Sequence, residues 1–328
     1  MSERELTAPV ALVGADGRLN PAAVGWARRP VVDTSGIDGR RSWGRNKRWE
    51  YWNVVTPTHV VALTVSSVDY AAVNEVWVFD RASEQTWGQA PTVLPARGVV
   101  LPASLGDGPA SASAPNLSIQ ITPTATGTHL RAEIPGVSID ITVTRPEAHE
   151  CLAVVVPWSS KRFQYTVKDV ALPAVGQLVI DQTTYPVPAT DSWAVLDHGR
   201  GRWPYDITWN WGAGSGLVGG RPFGVQVGGK WTDGTGSTEN GILIGTAMHK
   251  ISEELTWSYD VADWRRPWTI RGGDLDAVFS PEYDRTARTN LGVIAASTDQ
   301  CFGYWSGRFG EVSFEGIYGW AEHVHNRW

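Results

Sequence analysis

The chain has 328 residues, a net charge of −6 and 18 tryptophans, against only seven phenylalanines and two methionines. This length allows one large β domain or two smaller ones to bury a substantial core without a metal or a disulfide framework. The acidic balance argues against a surface that follows a phosphate backbone, so nucleic acid is not expected as a partner.

The N-terminal residues, the apolar runs and the two cysteines indicate the cellular compartment and the redox state of the protein. The first residues carry acidic side chains and only a brief apolar run, which is not the order of a secretory signal. No apolar run reaches the roughly 18 residues of a membrane-spanning helix. Cys151 and Cys301 lie far apart and form neither a disulfide framework nor a CxxC metal site. We therefore expect a cytoplasmic protein without a transmembrane segment and with two reduced core cysteines.

The segment at 39–49, GRRSWGRNKRW, places five cations among aromatic residues. It is interpreted as a solvated strand rim that neutralises nearby acids, with a phosphate or membrane-surface patch as the alternative.

Strand signals dominate the N-terminal half of the chain. Runs rich in β-branched residues predict strands at 58–70, 74–80, 117–122, 128–134, 137–145 and 151–158. Turn clusters such as TPTATG and PGV separate these runs at short intervals, which favours an antiparallel meander over βαβ units. Good helix signals are nearly absent.

The Pro-, Ala-, Gly- and Ser-rich stretch at 94–116 predicts a loop within the first half. After the Pro-punctuated stretch at 173–193, tryptophan and glycine become more frequent, so we place a domain junction near residue 185. The predicted domains are 1–185 and 186–328. Closure protects many strands from edge pairing, so we predict an all-β protein of two lipocalin-like antiparallel β-barrel domains side by side. A single large sandwich is the alternative.

The second half opens with DHGRGRWPYDITWNWGAGSG at 197–216. Asp197 and His198 would point to opposite faces of a regular strand, although the nearby glycines make a turn or bulge plausible that could turn either residue toward a cavity. Trp209 and Trp211 share one face of the predicted strand, and Asn210 takes the other. The structural alternative is that Asp197 pairs with an arginine, Arg200 or Arg202, while the tryptophans fill the core.

A second concentration of polar residues is GGKWTDGTGSTENG at 228–241, which lacks the order of a phosphate-binding P-loop. Asp233 and Glu239 could hold a tight hairpin by bonding to its backbone. Either could instead enter a pocket as a general acid whose pKa is raised by surrounding indoles. The sequence leaves these two readings open.

A metal site is a further alternative. His323 and His325, in the segment EHVH, share a strand face, and His198 or Asp197 could complete a three-ligand set. The motif is short and close to the C-terminus, where fraying is common. No GxSxG, HExxH or GxGxxG motif stands in a suitable setting, so we predict neither a metal nor a cofactor.

Several segments together resemble a bacterial family known as a domain of unknown function: GWARRP and RNKRWEYW in the first half, then the two segments above, HKISEELTWSYD, RRPWTIR, FSPEYDR and GWAEH. More distantly, the acid and histidine before an aromatic strand resemble the double-lipocalin, calycin-like superfamily of carotenoid hydratases and kievitone hydratase. That resemblance implies two lipocalin-like barrels with a hydrophobic small molecule in or between them. The positions that match its motif are Asp197, His198, Trp203 and Tyr205, and more weakly Asp233.

The resulting hypothesis is a cofactor-independent hydratase, isomerase or cyclase that acts on an unsaturated hydrophobic molecule. A carboxylic acid desolvated among indoles stays protonated and can donate, and indole faces stabilise the cation that forms. The candidate catalytic residues are Asp197 or Asp233 as the acid, His198 as the base, and Tyr205. The candidate binding residues are Trp203, Trp209, Asn210, Trp211, Arg200, Arg202, Trp231, Glu239 and Trp268.

The main rival is a non-catalytic lipocalin-like carrier of a lipid or pigment, which needs the tryptophans but no proton-transfer groups. The third hypothesis is a purely structural or protein-binding role, in which side chains fill both barrel interiors.

Overall fold

The computed structural model describes residues 3–37, 41–290 and 295–327. Within these residues, one short 3₁₀ helix, Pro21–Ala23, lies among 27 strands. The strands are β1 Val10–Ala11, β2 Trp26–Ala27, β3 Val32–Asp33, β4 Asn46–Val55, β5 His59–Ser67, β6 Ala72–Val73, β7 Glu75–Asp80, β8 Thr86–Gln89, β9 Thr92–Val93, β10 Val99–Val100, β11 Ala110–Ala114, β12 Leu117–Thr124, β13 Gly127–Ile134, β14 Val137–Thr144, β15 Leu152–Ser159, β16 Arg162–Ile180, β17 Thr183–Val187, β18 Trp193–Arg202, β19 Asp206–Val218, β20 Arg221–Gly229, β21 Asn240–Ile244, β22 Ala247–Ile251, β23 Thr256–Ser258, β24 Trp268–Gly272, β25 Leu275–Asn290, β26 Ala295–Phe309 and β27 Val312–Arg327.

The strands predicted for the first half are present. The alternation of apolar and polar residues along them explains why they form. In β12 every second residue from Leu117 to Ile121 is buried while the residues between are exposed. Such a period-two pattern gives a sheet one apolar face and one solvated face. The stretch at 94–116 is not all loop, because β10 and β11 lie within it. The short ASASA run of β11 has weak strand propensity, but β12 supplies a full set of backbone partners.

The strands form two large antiparallel sheets, each curled around its own core. The first sheet has 16 strands drawn from β2 to β18, and the second has nine strands in the order β22-β21-β20-β19-β27-β26-β25-β24-β23. One core fills the first barrel with aliphatic side chains such as Ile121, Val143 and Leu196. The other fills the second barrel around Trp268 and Trp305. The all-β prediction of two lipocalin-like barrels side by side is confirmed.

The chain passes from the first sheet to the second between Arg202 and Asp206. The sequence placed this junction near residue 185, where proline and a change of composition suggested a linker. That stretch instead forms a hairpin inside the first sheet, since β16 pairs with β17. Strand β18 then pairs with β4 along ten residues, which holds it in the first barrel.

A third apolar cluster lies between the two sheets and contains or contacts most of the tryptophans. Ten of the 18 tryptophans belong to it or pack against it. The shared layer is therefore largely aromatic. Its residues come from the outer faces of both barrels, so the barrels are joined along this layer.

The N-terminal segment covers one end of the first barrel. Strand β2 pairs with β15, and Leu12, Val32 and Ile37 pack with Cys151 and Tyr165 of the sheet. Cys151 and Cys301 are both buried with free thiols, and burial raises the pKa of the Cys151 thiol to about 12.

The basic segment at 39–49 does not form a single rim. Residues 39 and 40 lie outside the described part of the chain, Trp43 is 66% exposed in a turn, and Lys47 and Arg48 belong to β4. Among the residues that the structure describes, no helix has the length and apolarity to cross a membrane.

The core of the second barrel generates a stability prediction. Trp268 is fully buried, stacks on Tyr259 and donates its indole N–H to the Trp264 carbonyl. Trp268→Ala should lower the free energy of unfolding by about 3–5 kcal/mol, because a large cavity replaces the indole. Trp43→Ala, at an exposed indole, should change it by less than about 0.5 kcal/mol. Urea-unfolding midpoints would measure both, and equal midpoints would contradict the assigned core.

Candidate functional site between the barrels

A cavity of about 350 Å³ lies in the aromatic layer between the two barrels. We call it the interface cavity. Strands β4, β5, β16 and β18 of the first sheet line one side, and β19, β25, β26 and β27 of the second line the other. Its volume is within the range of small-molecule sites. Neither barrel alone could form it.

Lys168 on β16 is the cation at the centre of this cavity. It lies directly opposite Asp197 on β18 in the antiparallel register, so both side chains leave the same face of the sheet. Its Nζ lies 3.0 Å from Asp197 Oδ2 and 3.5 Å from Glu239 Oε2. The ammonium also lies 3.9 Å from the ring centroid of Trp211. Burial lowers the pKa of Lys168, but the charges of Asp197 and Glu239 outweigh burial and raise it.

Asp197 is buried, and its second oxygen, Oδ1, accepts a hydrogen bond of 3.1 Å from Thr166 Oγ1. Thr166 lies on β16, two residues before Lys168 and on the same face. Both carboxylate oxygens of Asp197 therefore have partners from one neighbouring strand. The ion pair suggested by the sequence between Asp197 and Arg200 or Arg202 does not form. Asp197 pairs with Lys168 instead.

Glu239 enters the cavity from the segment that follows β20. Its Oε1 accepts a 2.5 Å hydrogen bond from the indole N–H of Trp231. The carboxyl group lies against Gly228, where an added Cβ would be only 2.2 Å from Glu239 Oε1. Glycine at 228 thus leaves the space that Glu239 occupies. Burial raises the pKa of Glu239, although Lys168 and the Trp231 hydrogen bond oppose the rise.

Glu322 on β27 is the third carboxyl group. Its Oε1 accepts a 2.9 Å hydrogen bond from the Trp209 indole and its Oε2 a 2.8 Å bond from Gln300 Nε2. Burial raises the pKa of Glu322 to about 7, although Trp209, Lys168 and Gln300 act to lower it. A carboxyl group with this pKa is partly protonated near neutral pH and can donate a proton.

Lys168 contacts two of the carboxyl groups directly, Asp197 and Glu239. Of the other cations that line the cavity, Arg285 is paired with Glu75 and donates to Gln300, and Lys47 and Arg48 come from β4. Negative charges in a poorly solvated space repel one another, which favours a proton on a carboxyl group. Burial raises the pKa of both Glu239 and Glu322, and Glu322, with a pKa of about 7, has no ion pair among the described residues.

Indoles form the wall of the interface cavity. Trp203 stacks on Trp231 with ring centroids 5.5 Å apart and planes within 9° of parallel. Trp209 packs against Trp203 in a T-shaped arrangement, with ring centroids 5.8 Å apart. Tyr51 packs edge-on against Trp211 at 5.7 Å. The N–H groups of Trp231 and Trp209 face carboxylates. The wall therefore orients the acids and also offers π faces that attract a cation.

His198 is absent from this site because β18 runs as a regular strand through Asp197 and His198. The expected turn does not occur, and the two side chains leave opposite faces, so His198 is not the base beside Asp197. Gly199 serves packing instead, since a Cβ there would be 2.2 Å from the Trp49 ring. On the far face His198 Nδ1 lies 3.7 Å from Glu50.

Arg200 and Arg202 also face away from the interface cavity and bind backbone. Arg200 donates to the carbonyls of Trp49, Gly199 and Pro102. Arg202 donates to Asn46 Oδ1 at 3.1 Å and to the Gly17 carbonyl. They hold the first barrel and its N-terminal segment together.

Four other candidates lie outside the cavity. Tyr205 is 42% exposed at the junction between the sheets. Asp233 is exposed and accepts the backbone N–H of Lys230, as the hairpin reading predicts. Asn210 faces the opposite side of β19 from its two tryptophan neighbours and accepts a 3.2 Å bond from the Tyr259 hydroxyl. Trp268 belongs to the core of the second barrel.

The candidate metal ligands have separate partners. His323 Nδ1 lies 3.1 Å from the Tyr259 hydroxyl, and His325 Nε2 lies 2.8 Å from Asp206 Oδ1. The described part of the chain contains no group of three or more histidine, cysteine, aspartate or glutamate side chains placed to hold a metal.

Of the predicted residues, the structure brings together Asp197, Glu239, Trp203, Trp209, Trp211 and Trp231. Sequence reasoning missed Lys168 and Glu322. Lys168 lies in the part of β16, residues 163–172, in which every residue is buried, and a lysine in such a run was the available signal. Glu322 lies within GWAEH, beside the histidines considered as metal ligands, but its partner Trp209 is 113 residues away.

Comparisons with known proteins identify the family of this chain and structures that share its fold. A family model described as "Domain of unknown function (DUF2804)" matches residues 3–328. No curated protein matches the sequence. Among solved structures, the chain is similar to kievitone hydratase from Nectria haematococca, at 13% identity and a TM-score of 0.54 over 92% of this chain and 94% of that one. CghA with Sch210972 is similar at 10% identity and a TM-score of 0.55, over 87% of this chain and 88% of that one. At these identities the similarity shows the double-barrel fold.

Glu322 should make stability depend on pH. Its pKa is about 7 in the folded protein against 4.5 for a free side chain, so its contribution is fully present below about pH 4.5 and is lost as the pH rises through about 7. The free energy of unfolding of the wild type, relative to Glu322→Gln, should fall by about 2–3 kcal/mol from pH 4.5 to 8. Urea titrations at several pH values measure this difference, and a flat difference would contradict the assignment.

Lys168 should hold the pKa of Glu322 down. Lys168→Met removes the cation, so the pKa of Glu322 should rise further above about 7. Lys168→Arg keeps the charge and should change it less, and Lys161→Met, at an exposed lysine, should leave it unchanged. Carbon-13 NMR of labelled glutamate carboxyls, assigned with Glu322→Gln, gives the values. An unchanged pKa in Lys168→Met would show that the cation does not act on Glu322.

Proposed function

The chain belongs to the DUF2804 family, and we propose that it is a cofactor-independent acid–base enzyme of the hydratase, isomerase or cyclase type. Its substrate would be an unsaturated hydrophobic small molecule bound in the interface cavity. The observation that carries this proposal is the buried Lys168 facing Asp197, Glu239 and Glu322 within a wall of indoles. A cluster of ionisable groups in an apolar cavity is costly to bury and is typical of sites that move protons.

Glu322 is the proposed proton donor. Its pKa of about 7 leaves a large protonated fraction at neutral pH, and the Trp209 and Gln300 donors fix its orientation. Transfer of its proton to one carbon of a C=C bond forms a C–H bond and leaves a carbocation on the other carbon. The electron pair of the broken O–H bond stays on the Glu322 carboxylate.

Asp197 is the proposed base, in place of His198. In a hydration, water adds its oxygen to the carbocation and gives a proton to the Asp197 carboxylate, which solvent then returns to Glu322. In an isomerisation, Asp197 instead removes a proton from a carbon next to the cation. Lys168 lies 3.0 Å from this carboxylate and orients it, so Lys168 is a positioning residue. The indole wall of the cavity stabilises the cation.

The similarity to kievitone hydratase supports the hydratase class, because the two chains share the fold over most of their length. Fold alone does not transfer a reaction. The proposal therefore depends on the cluster around Lys168. A carrier would use the same apolar wall but would have no use for a partly protonated acid beside a paired base.

The test is hydrogen exchange into the substrate. Native mass spectrometry and extraction of the purified protein supply a candidate ligand, and a panel of unsaturated terpenoids, fatty acids and polyketides supplements it. Incubation in D₂O should place deuterium on carbon, and for a hydratase should add the mass of D₂O. Because Glu322 donates as the neutral acid, the rate should fall as the pH rises through about 7.

Variants separate the enzyme from the carrier. Glu322→Gln and Asp197→Asn should each slow exchange by about 10²–10⁴-fold, while ligand affinity by tryptophan fluorescence changes little. Glu315→Gln, at an exposed glutamate on the same strand, is the matched control and should retain the wild-type rate. Tight binding with no exchange in the wild type would favour the carrier. If no panel member binds, the ligand-binding proposal itself fails.

A further inference from the structure

A second cavity, of about 500 Å³, opens at the end of the first barrel. We call it the barrel-mouth cavity. Its wall includes Trp52, Ile121, Leu172 and Leu196 from the barrel core. None of the residues that line it lines the interface cavity.

The two cavities lie on opposite faces of the same strands. On β4 Tyr51 faces the interface cavity, whereas Trp52 faces the barrel mouth. On β18 Asp197 and Leu196 divide in the same way. Because successive side chains on a strand point to opposite faces, the sheet itself separates the two spaces.

Glu50 on β4 is the buried polar group of the barrel-mouth cavity. It is 4% exposed and lines the cavity. His198 Nδ1 lies 3.7 Å and Arg200 Nη2 lies 3.8 Å from Glu50 Oε1, both beyond hydrogen-bond distance. No hydrogen bond among the described residues ends on its carboxylate. A carboxylate that lines a cavity and receives no hydrogen bond from the protein can accept one from a ligand there.

His198 does not satisfy Glu50. Both of its ring nitrogens are buried without a hydrogen-bond partner among the described residues. Burial and then the charge of Arg200 lower the pKa of His198 to about 4, against the effect of Glu50, so the ring is neutral near pH 7. The two unpaired polar groups, Glu50 and His198, thus lie side by side at this end of the barrel.

Several other polar groups near the cavity have partners. Arg200 donates to three backbone carbonyls. Arg145 and His149, which line the cavity, both bond to the Asp169 carboxylate. Trp52 also lines the cavity, and its buried indole N–H has no hydrogen-bond partner among the described residues. The cavity therefore offers a ligand an acceptor, Glu50, and a donor, the Trp52 indole, and a hydroxyl group can bond to both.

We propose that the barrel-mouth cavity is a second ligand site, which takes an apolar molecule with a hydroxyl group, an alcohol or phenol, that donates to Glu50. A carboxylate ligand would be repelled by Glu50. A cationic ligand would meet Arg29 and Arg145, which also line the cavity. The site uses none of the residues of the proposed reaction, so it stands or fails independently of that function.

The probe is 4-(trifluoromethyl)phenol, observed by fluorine NMR at pH 6.5, with 4-(trifluoromethyl)benzoate as the charged comparison. The wild type should bind the phenol at least about tenfold more tightly than the benzoate. The phenol hydroxyl donates a hydrogen bond to the Glu50 carboxylate, whereas the benzoate carboxylate is repelled by it. Leu196→Phe, which fills the cavity, should abolish the bound phenol signal assigned to this site.

Glu50→Gln gives the discriminating result. It should weaken the phenol at least about fivefold and strengthen the benzoate, so the preference narrows or reverses. Loss of folding could not strengthen one ligand while weakening the other. Glu133→Gln, an exposed glutamate on the same barrel, is the matched control and should leave both affinities unchanged. Equal affinity for both probes in the wild type, or a phenol signal unaffected by Glu50→Gln and Leu196→Phe, would overturn the proposal.

Discussion

The contact between Lys168 and Asp197 is the interaction on which the interface site depends. Three carboxyl groups cannot be buried together without compensation, because each loses its hydration and repels the others. The ammonium of Lys168 offsets part of that cost for Asp197 and Glu239, which it contacts directly. Glu322 lacks such a contact, and burial raises its pKa to about 7.

The tryptophans connect this electrostatic arrangement to the fold. The aromatic layer that joins the barrels is also the wall of the interface cavity. Trp231 and Trp209 donate to Glu239 and Glu322, so rigid rings hold both carboxyl groups in place. An indole offers a large apolar face and a single donor, which is the combination needed to bury an acid within an apolar wall. The tryptophan surplus thus serves the site and the packing of the barrels at once.

Strands β4 and β18 carry two different environments on their two faces. One face contributes Tyr51 and Asp197 to the interface cavity, and the other contributes Glu50 and His198 to the end of the first barrel. This division explains why adjacent residues in the motif at 197–198 do not act together. It also leaves Glu50 and His198 outside the interface site, with Glu50 in the wall of the barrel-mouth cavity.

The features that depend on local patterning could be predicted from the sequence alone. Period-two alternation identified the strands and the all-β class, and it also placed Trp209 and Trp211 on one face with Asn210 on the other. Asp197 and Glu239 could be selected because acids are unusual among so many indoles. The residues that contact these acids could be identified from the tertiary structure alone. Lys168 contacts Asp197 through strand register, and Trp209 reaches Glu322 across 113 residues. Register and sheet packing are non-local, and a shift of one residue moves every side chain to the other face, so the sequence could not choose between Asp197 and His198.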